Sequence, residues 1–239
     1  MILHHRLSME FPSKAALRAF RLAPALSLAV VVVAGAGCAT QERKPAMQKP
    51  VTQAARNFVG EKHLPAGLRR VVLLPVCGGD AAVPESAEAL DAAFAIALER
   101  QMRFEVVTLS REECRRRFGA DSLLSAGALP AGFLDEISHD FAAQGVLFVD
   151  LTAYRPLRPI TLGIRAKLAL LDSGKLIWSF DQVFSASDPG VIAGLRAFYA
   201  AGGGDRGENP ANLPEAALIS PSRFGAYAAE ATFETLPPR

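Results

Sequence analysis

The chain has 239 residues, 50% of them hydrophobic, with 26 basic side chains against 24 acidic ones and 3 cysteines. That is apolar material enough for one sizeable domain with appendages. The near-balance of charge excludes the broad basic footprint of a nucleic-acid binder, and isolated cysteines without a C-x-x-C or a nearby histidine pair fall short of the four ligands of a structural zinc site.

Arg6, Lys14, Arg18 and Arg21 lead into Leu22–Gly37, 16 residues without a charge. A membrane span needs about 20 apolar residues, so this run better fits the core of a secretory signal that ends in small residues. It closes on Gly35-Ala36-Gly37-Cys38, which resembles the lipobox of bacterial lipoproteins. The resemblance implies that residues 1–37 are a signal peptide cut just before Cys38. It also implies that the Cys38 thiol receives a diacylglyceryl group and that the new amino terminus is acylated. Ala36 and Gly37 match the pattern; Gly35 departs from it, since a leucine or another larger apolar residue is usual there. Ala39 stands where an aspartate would retain such a protein at the inner membrane, so the resemblance implies an outer-membrane anchor facing the periplasm. An uncleaved anchor and an ordinary signal cut near Ala36 compete with this reading. A dinucleotide-binding loop does not, because Thr40 replaces the third glycine of G-x-G-x-x-G and no helical pattern follows. Initiation at Met9 rather than Met1 would give a leader of more usual length.

Without residues 1–37, which hold four of the basic residues and Glu10, 22 basic residues face 23 acidic ones. With Cys38 taken by lipid, Cys77 and Cys114 remain as an even pair in an oxidising compartment. The competing reading is two buried thiols that act as small hydrophobes.

From Ala39 to about Gly67 the chain is polar and punctuated by Pro45 and Pro50, a tether between membrane and domain. Within it Ala54–Phe58 suggests a short helical turn. Arg69–Val76 is a continuous apolar run with β-branched residues, the mark of a strand covered on both faces. Cys77-Gly78-Gly79-Asp80 breaks it. The glycine pair could cradle a phosphate, but no G-x-x-x-x-G-K-[ST] follows. Ser86–Met102 is amphipathic, with Leu90, Phe94 and Leu98 on one stripe. Phe104–Leu109 is the second strand. Ser110 and Glu113 form a capping box for a helix over 111–118. Arg115-Arg116-Arg117 on it is either a phosphate or acidic-partner grip, or a solvated face favoured by the helix dipole.

Pro130–Ala143 is the next helix, with His139 among Asp135, Glu136 and Asp140, and Gly145 as its left-handed cap. Val146–Leu151 is the third strand. In 160–170 the alternation turns Ile160, Leu162, Ile164, Ala166, Leu168 and Leu170 to one side. Asp172-Ser173-Gly174-Lys175 is a turn, and Leu176–Phe180 returns antiparallel. A helix over 191–200, a glycine-rich spacer over 201–220 and a terminal helix over 223–236 complete the chain.

This order predicts a mixed α/β fold: a sheet of about five strands, the first three parallel through right-handed helical crossovers, then an antiparallel hairpin, with helices packed on the sheet. The α/β domain spans 68–200, and 221–239 packs back onto it. Cys77 and Cys114 follow successive parallel strands, so both fall at one sheet edge, and a disulfide there requires Cα atoms within about 7 Å. With the lipobox, the tether, the Val71–Pro75 strand and the hairpin of 170–179, the arrangement is similar to periplasmic lipoproteins with an anticodon-binding-like α/β domain. That group includes the curli secretion-channel family and the penicillin-binding-protein activator lipoproteins. The resemblance implies a non-enzymatic envelope protein that binds a protein partner or assembles, with no catalytic residues and no cofactor to carry over. The alternatives are an envelope hydrolase, which needs a pocket collecting Asp80, His139, Asp150 or Asp181, and a small-ligand binder, which needs a preformed apolar cavity.

Overall fold

The computed structural model describes residues 57–203 and 213–239. Cys38, the leader and the expected tether up to residue 56 lie outside them. The elements run β1 (Phe58–Val59), β2 (Arg70–Leu73), α1 (Pro84–Arg100), β3 (Glu105–Thr108), α2 (Arg111–Phe118) and α3 (Phe133–Phe141). They continue with β4 (Gly145–Arg155), β5 (Thr161–Leu170), β6 (Leu176–Ser185), α4 (Pro189–Ala200), α5 (Leu213–Ala217) and α6 (Pro221–Phe233). The strands form one mixed sheet in the order β1-β6-β5-β4-β2-β3.

β2 pairs in parallel with both β3 and β4, as helical crossovers require. β4, β5 and β6 follow as an antiparallel meander. The sheet has six strands rather than five. The addition is β1, in which Phe58 pairs with Ser179 and Val59 with Trp178. Two residues carry no readable alternation, and the preceding alanines point to a helical turn. The unpaired rim of β6 decides otherwise, because it offers backbone partners to an extended chain.

The apolar run after Arg69 is regular only to Leu73. Pro75 has no N–H for the ladder. Pairing resumes at Cys77, which donates to Val149 O and accepts from Leu151 N, both at 2.8 Å. α1 begins at Pro84, which suits a first turn, and buries Ala87, Leu90, Phe94, Ala97 and Leu98.

On one side of the sheet, Ile164, Ala166, Leu168, Trp178 and Phe180 pack with Phe94 of α1, Leu195 of α4 and Phe233 of α6. Phe233 lies edge-on to Phe94 at 5.9 Å, and Trp178 sits 6.4 Å from Phe180 and 6.3 Å from Phe233. Each such ring contributes on the order of 2–3 kcal/mol by leaving water. On the other side, Val72, Leu74, Val146 and Phe148 pack with Cys114 of α2 and Phe133 and Ile137 of α3. That second layer covers β2, β3 and β4 and reaches β5 only at its end, through Ala169 and Leu171. Further along the same side, β5 and β6 present Arg165, Lys167, Ser179 and Asp181 half-buried, and Val183 at 45% exposure.

Two local expectations change. The left-handed residue ending α3 is Ala142, with φ 47°, and Gly145 opens β4 instead. A Cβ on Gly145 would stand 2.8 Å from Leu68 Cδ1, so this glycine serves a close approach and not a cap. The spacer also holds the one-turn helix α5, too short to show a period, whose Ala217 is fully buried. Beyond α6 the chain returns to the start of the domain. Leu64 N–H donates to Pro238 O at 2.8 Å, His63 Nδ1 lies 3.2 Å from Arg239 O, and Arg239 Nε donates to Arg103 O.

Candidate functional site

In an open sheet of this kind, ligands enter the crevice at the carboxyl ends of the parallel strands where the strand order reverses. Here that point lies between β2 and β4, where Cys77 bridges to Asp150. The crevice is filled by the protein's own chain. Ser125, in the loop between α2 and α3, donates its N–H to Asp150 Oδ1 at 3.0 Å and its hydroxyl to Oδ2 at 2.5 Å, while Lys167 Nζ donates to Ser125 O at 3.1 Å. Leu124 beside it lies over Gly79, its Cδ1 3.6 Å from where a Cβ would stand. Gly78 closes a turn on itself by accepting from Ala81 N and Ala82 N. The glycine pair therefore shapes a turn and covers no open cradle.

Asp150 is 1% exposed. Burial pushes its carboxyl above the ordinary range, and the Ser125 donors with the charges of Lys167 and Arg165 only partly offset this. A carboxyl raised in the folded state favours folding most at acid pH, and that contribution is lost as pH rises through the folded pKa. Urea unfolding of the wild type and Asp150→Asn should therefore show a stability difference that moves against the wild type as pH rises from about 4. A difference that stays level, or moves the other way, would contradict this account of Asp150.

Asp150, Arg165 and Asp181 stand opposite one another on β4, β5 and β6, and Arg165 Nε donates to Asp181 Oδ2 at 2.8 Å. The other two candidates do not join them. Asp80 is exposed in the turn after β2, and the His139 side chain is 90% exposed on α3, with its imidazole 3.0 Å from Asp140. The arginine run is engaged by acids. Arg117 binds Glu113, Glu136 and Asp140, tying α2 to α3, and Arg115 meets Asp121 at 3.5 Å. His139 and Arg117 hold the Asp140 carboxyl below its usual range. Ser110 Oγ caps α2 by accepting from Glu113 N, while the Glu113 carboxylate turns to Arg117.

Sequence reasoning did not anticipate two polar clusters, the Ser125 latch and a staple at the end of β2. In the staple, Asp91 Oδ1 accepts from Val76 N at 2.8 Å, and Arg111 donates to Asp91 Oδ2 at 2.7 Å and to Val76 O at 2.7 Å. Both join residues far apart in the chain, which no local pattern announces. A separate groove of about 590 Å³ between α1, α4 and α6 is lined by Arg100, Phe198, Tyr227, Glu230 and Glu234. Burial raises the Tyr227 phenol and the Glu230 carboxyl there. Cys77 and Cys114 are buried free thiols. Among the described residues no group of three or more His, Cys, Asp or Glu converges as metal ligands, and no helix is long and apolar enough to cross a membrane.

No family model and no curated protein matches the sequence. Solved structures do. The PelC dodecamer from Paraburkholderia phytofirmans matches at 12% identity and TM-score 0.44, over 78% of this chain and 99% of that one. Lipoprotein GNA1162 from Neisseria meningitidis matches at 16% identity and TM-score 0.38, over 56% and 94%. The LpoB C-terminal domain from Salmonella enterica matches at 16% identity and TM-score 0.33, over 48% and 82%.

Proposed function

We propose that this chain is a lipid-anchored protein of the bacterial envelope, held through Cys38, that works by binding another protein rather than by catalysis. The observation that carries the reading is the filled crevice: the place where such a sheet receives a ligand is taken by Ser125, whose polar groups are all used within the chain. Among the described residues no helix packs over the β5–β6 face around Arg165, Asp181 and Val183, a mixed polar and apolar surface suited to a protein partner. The small-ligand alternative is favoured by the groove of about 590 Å³ at Tyr227 and Glu230.

Two measurements test the reading. Cys38→Ser should abolish acylation and leave unprocessed precursor; an unchanged membrane-bound mature form would remove the anchor. A photo-crosslinking residue at Val183 in intact cells should capture a discrete protein that the same residue at Glu88, exposed on α1, does not. Equal capture from both positions, or from neither, would refute the docking face.

A further inference from the structure

Cys77 and Cys114 each neighbour a member of the Val76–Asp91–Arg111 staple. Cys77 is the residue after Val76, whose amide and carbonyl both enter the staple. Cys114 is one helical turn beyond Arg111, on the same face of α2. The two residues also point to the same side of the sheet. Cys77 is bridged to Asp150, and Asp150 shares its side of β4 with Val146 and Phe148, which belong to the cluster that contains Cys114. The Cys114 side chain is fully buried and that of Cys77 nearly so.

We propose that Cys77 and Cys114 are a disulfide-forming pair that locks the start of α2 onto the end of β2. For the oxidant in the cell, this rests on the export reading above. The chemistry is thiol–disulfide exchange. One cysteine thiolate attacks the disulfide of an oxidoreductase and forms a mixed disulfide. The second thiolate then displaces the enzyme's thiolate, so the chain loses two protons and two electrons and the enzyme's disulfide is reduced to a dithiol. Burial, with Asp121 and Cys77 adding to it, pushes the Cys114 thiol up to about 11, so in the folded protein it is not a nucleophile near neutral pH. The bond therefore forms while α2 is still undocked, as the chain folds. Once made, it is sheltered from reductants.

The test uses the full chain carrying Cys38→Ser, so that two thiols remain. It is refolded from denaturant in a glutathione redox buffer, alkylated under denaturing conditions and mapped by mass spectrometry. A cross-linked peptide pair containing Cys77 and Cys114 is expected, together with a melting temperature about 10 °C above that of the reduced protein. Separate alkylation of both cysteines after refolding would overturn the proposal. The same map on the native chain isolated from cells reports on export instead. A pair that bonds in the refolded protein but is alkylated singly in the cellular protein counts against the compartment and leaves the pairing intact.

Discussion

Asp91→Ala is expected to cost about 3 kcal/mol of folding stability, near the lower end for breaking a buried charge pair. The Arg111 side chain is 11% exposed and faces Asp91, which is 31% exposed. Removing the carboxylate leaves a guanidinium with little access to water and takes the acceptor from the Val76 N–H at 2.8 Å. Partial exposure of Asp91 keeps the loss from being larger, since water enters the space the carboxylate leaves. Asp91→Asn retains an acceptor for Val76 and should lose less. Denaturant titration of both variants measures this, and a loss for Asp91→Ala below about 1 kcal/mol would show that the staple does not hold α1, β2 and α2 together.

The second large effect lies in the middle of the larger core. Trp178→Ala should cost about 4 kcal/mol, because a fully buried indole between Phe180 and Phe233 leaves a cavity that those rings cannot close. Trp178→Phe should cost less than about 2 kcal/mol. The indole Nε1 is buried with no hydrogen-bond partner among the described residues, so its loss removes a donor that was already unsatisfied. Equal losses in the two variants would mean that the indole nitrogen has a partner that matters.

The parts of the fold legible in the sequence are those in which one face is buried over many residues. The β5 alternation from Ile160 to Leu170 and the Leu90, Phe94, Leu98 stripe both repeat the period of their element, and both line the larger core. Illegible were elements too short to repeat their own period, β1 and α5, whose conformations are set by the edge of β6 and by packing around Ala217. Gly145 misled because a glycine after a helix serves equally as a cap or as room for a neighbour, and Leu68, distant in sequence, decides between them. The candidate site was harder still. Asp150 was visible as a carboxylate in an apolar strand, but its partner Ser125 lies in a loop with no distinguishing pattern. Arg111 even looks misplaced, since a cation at a helix N-terminus opposes the dipole. That local conflict was the one available sign that it serves a contact elsewhere.

The hydrogen bond from Leu64 to Pro238 bears on how the domain answers mechanical load. A pull arriving along the chain from before Asn57 meets β1 first. Among the described residues β1 joins the sheet through Phe58 and Val59, and Gly60 N adds one bond to Ile177 O at 3.0 Å. Those bonds release one after another, like a peeled strip. The strain then reaches Leu64, where the segment ending at Arg239 clamps the chain and is itself tied to Arg103, between α1 and β3. The stretch from Phe58 to Leu64 would therefore lengthen first, and the clamp at Leu64 stands between the pull and the five strands β2 to β6.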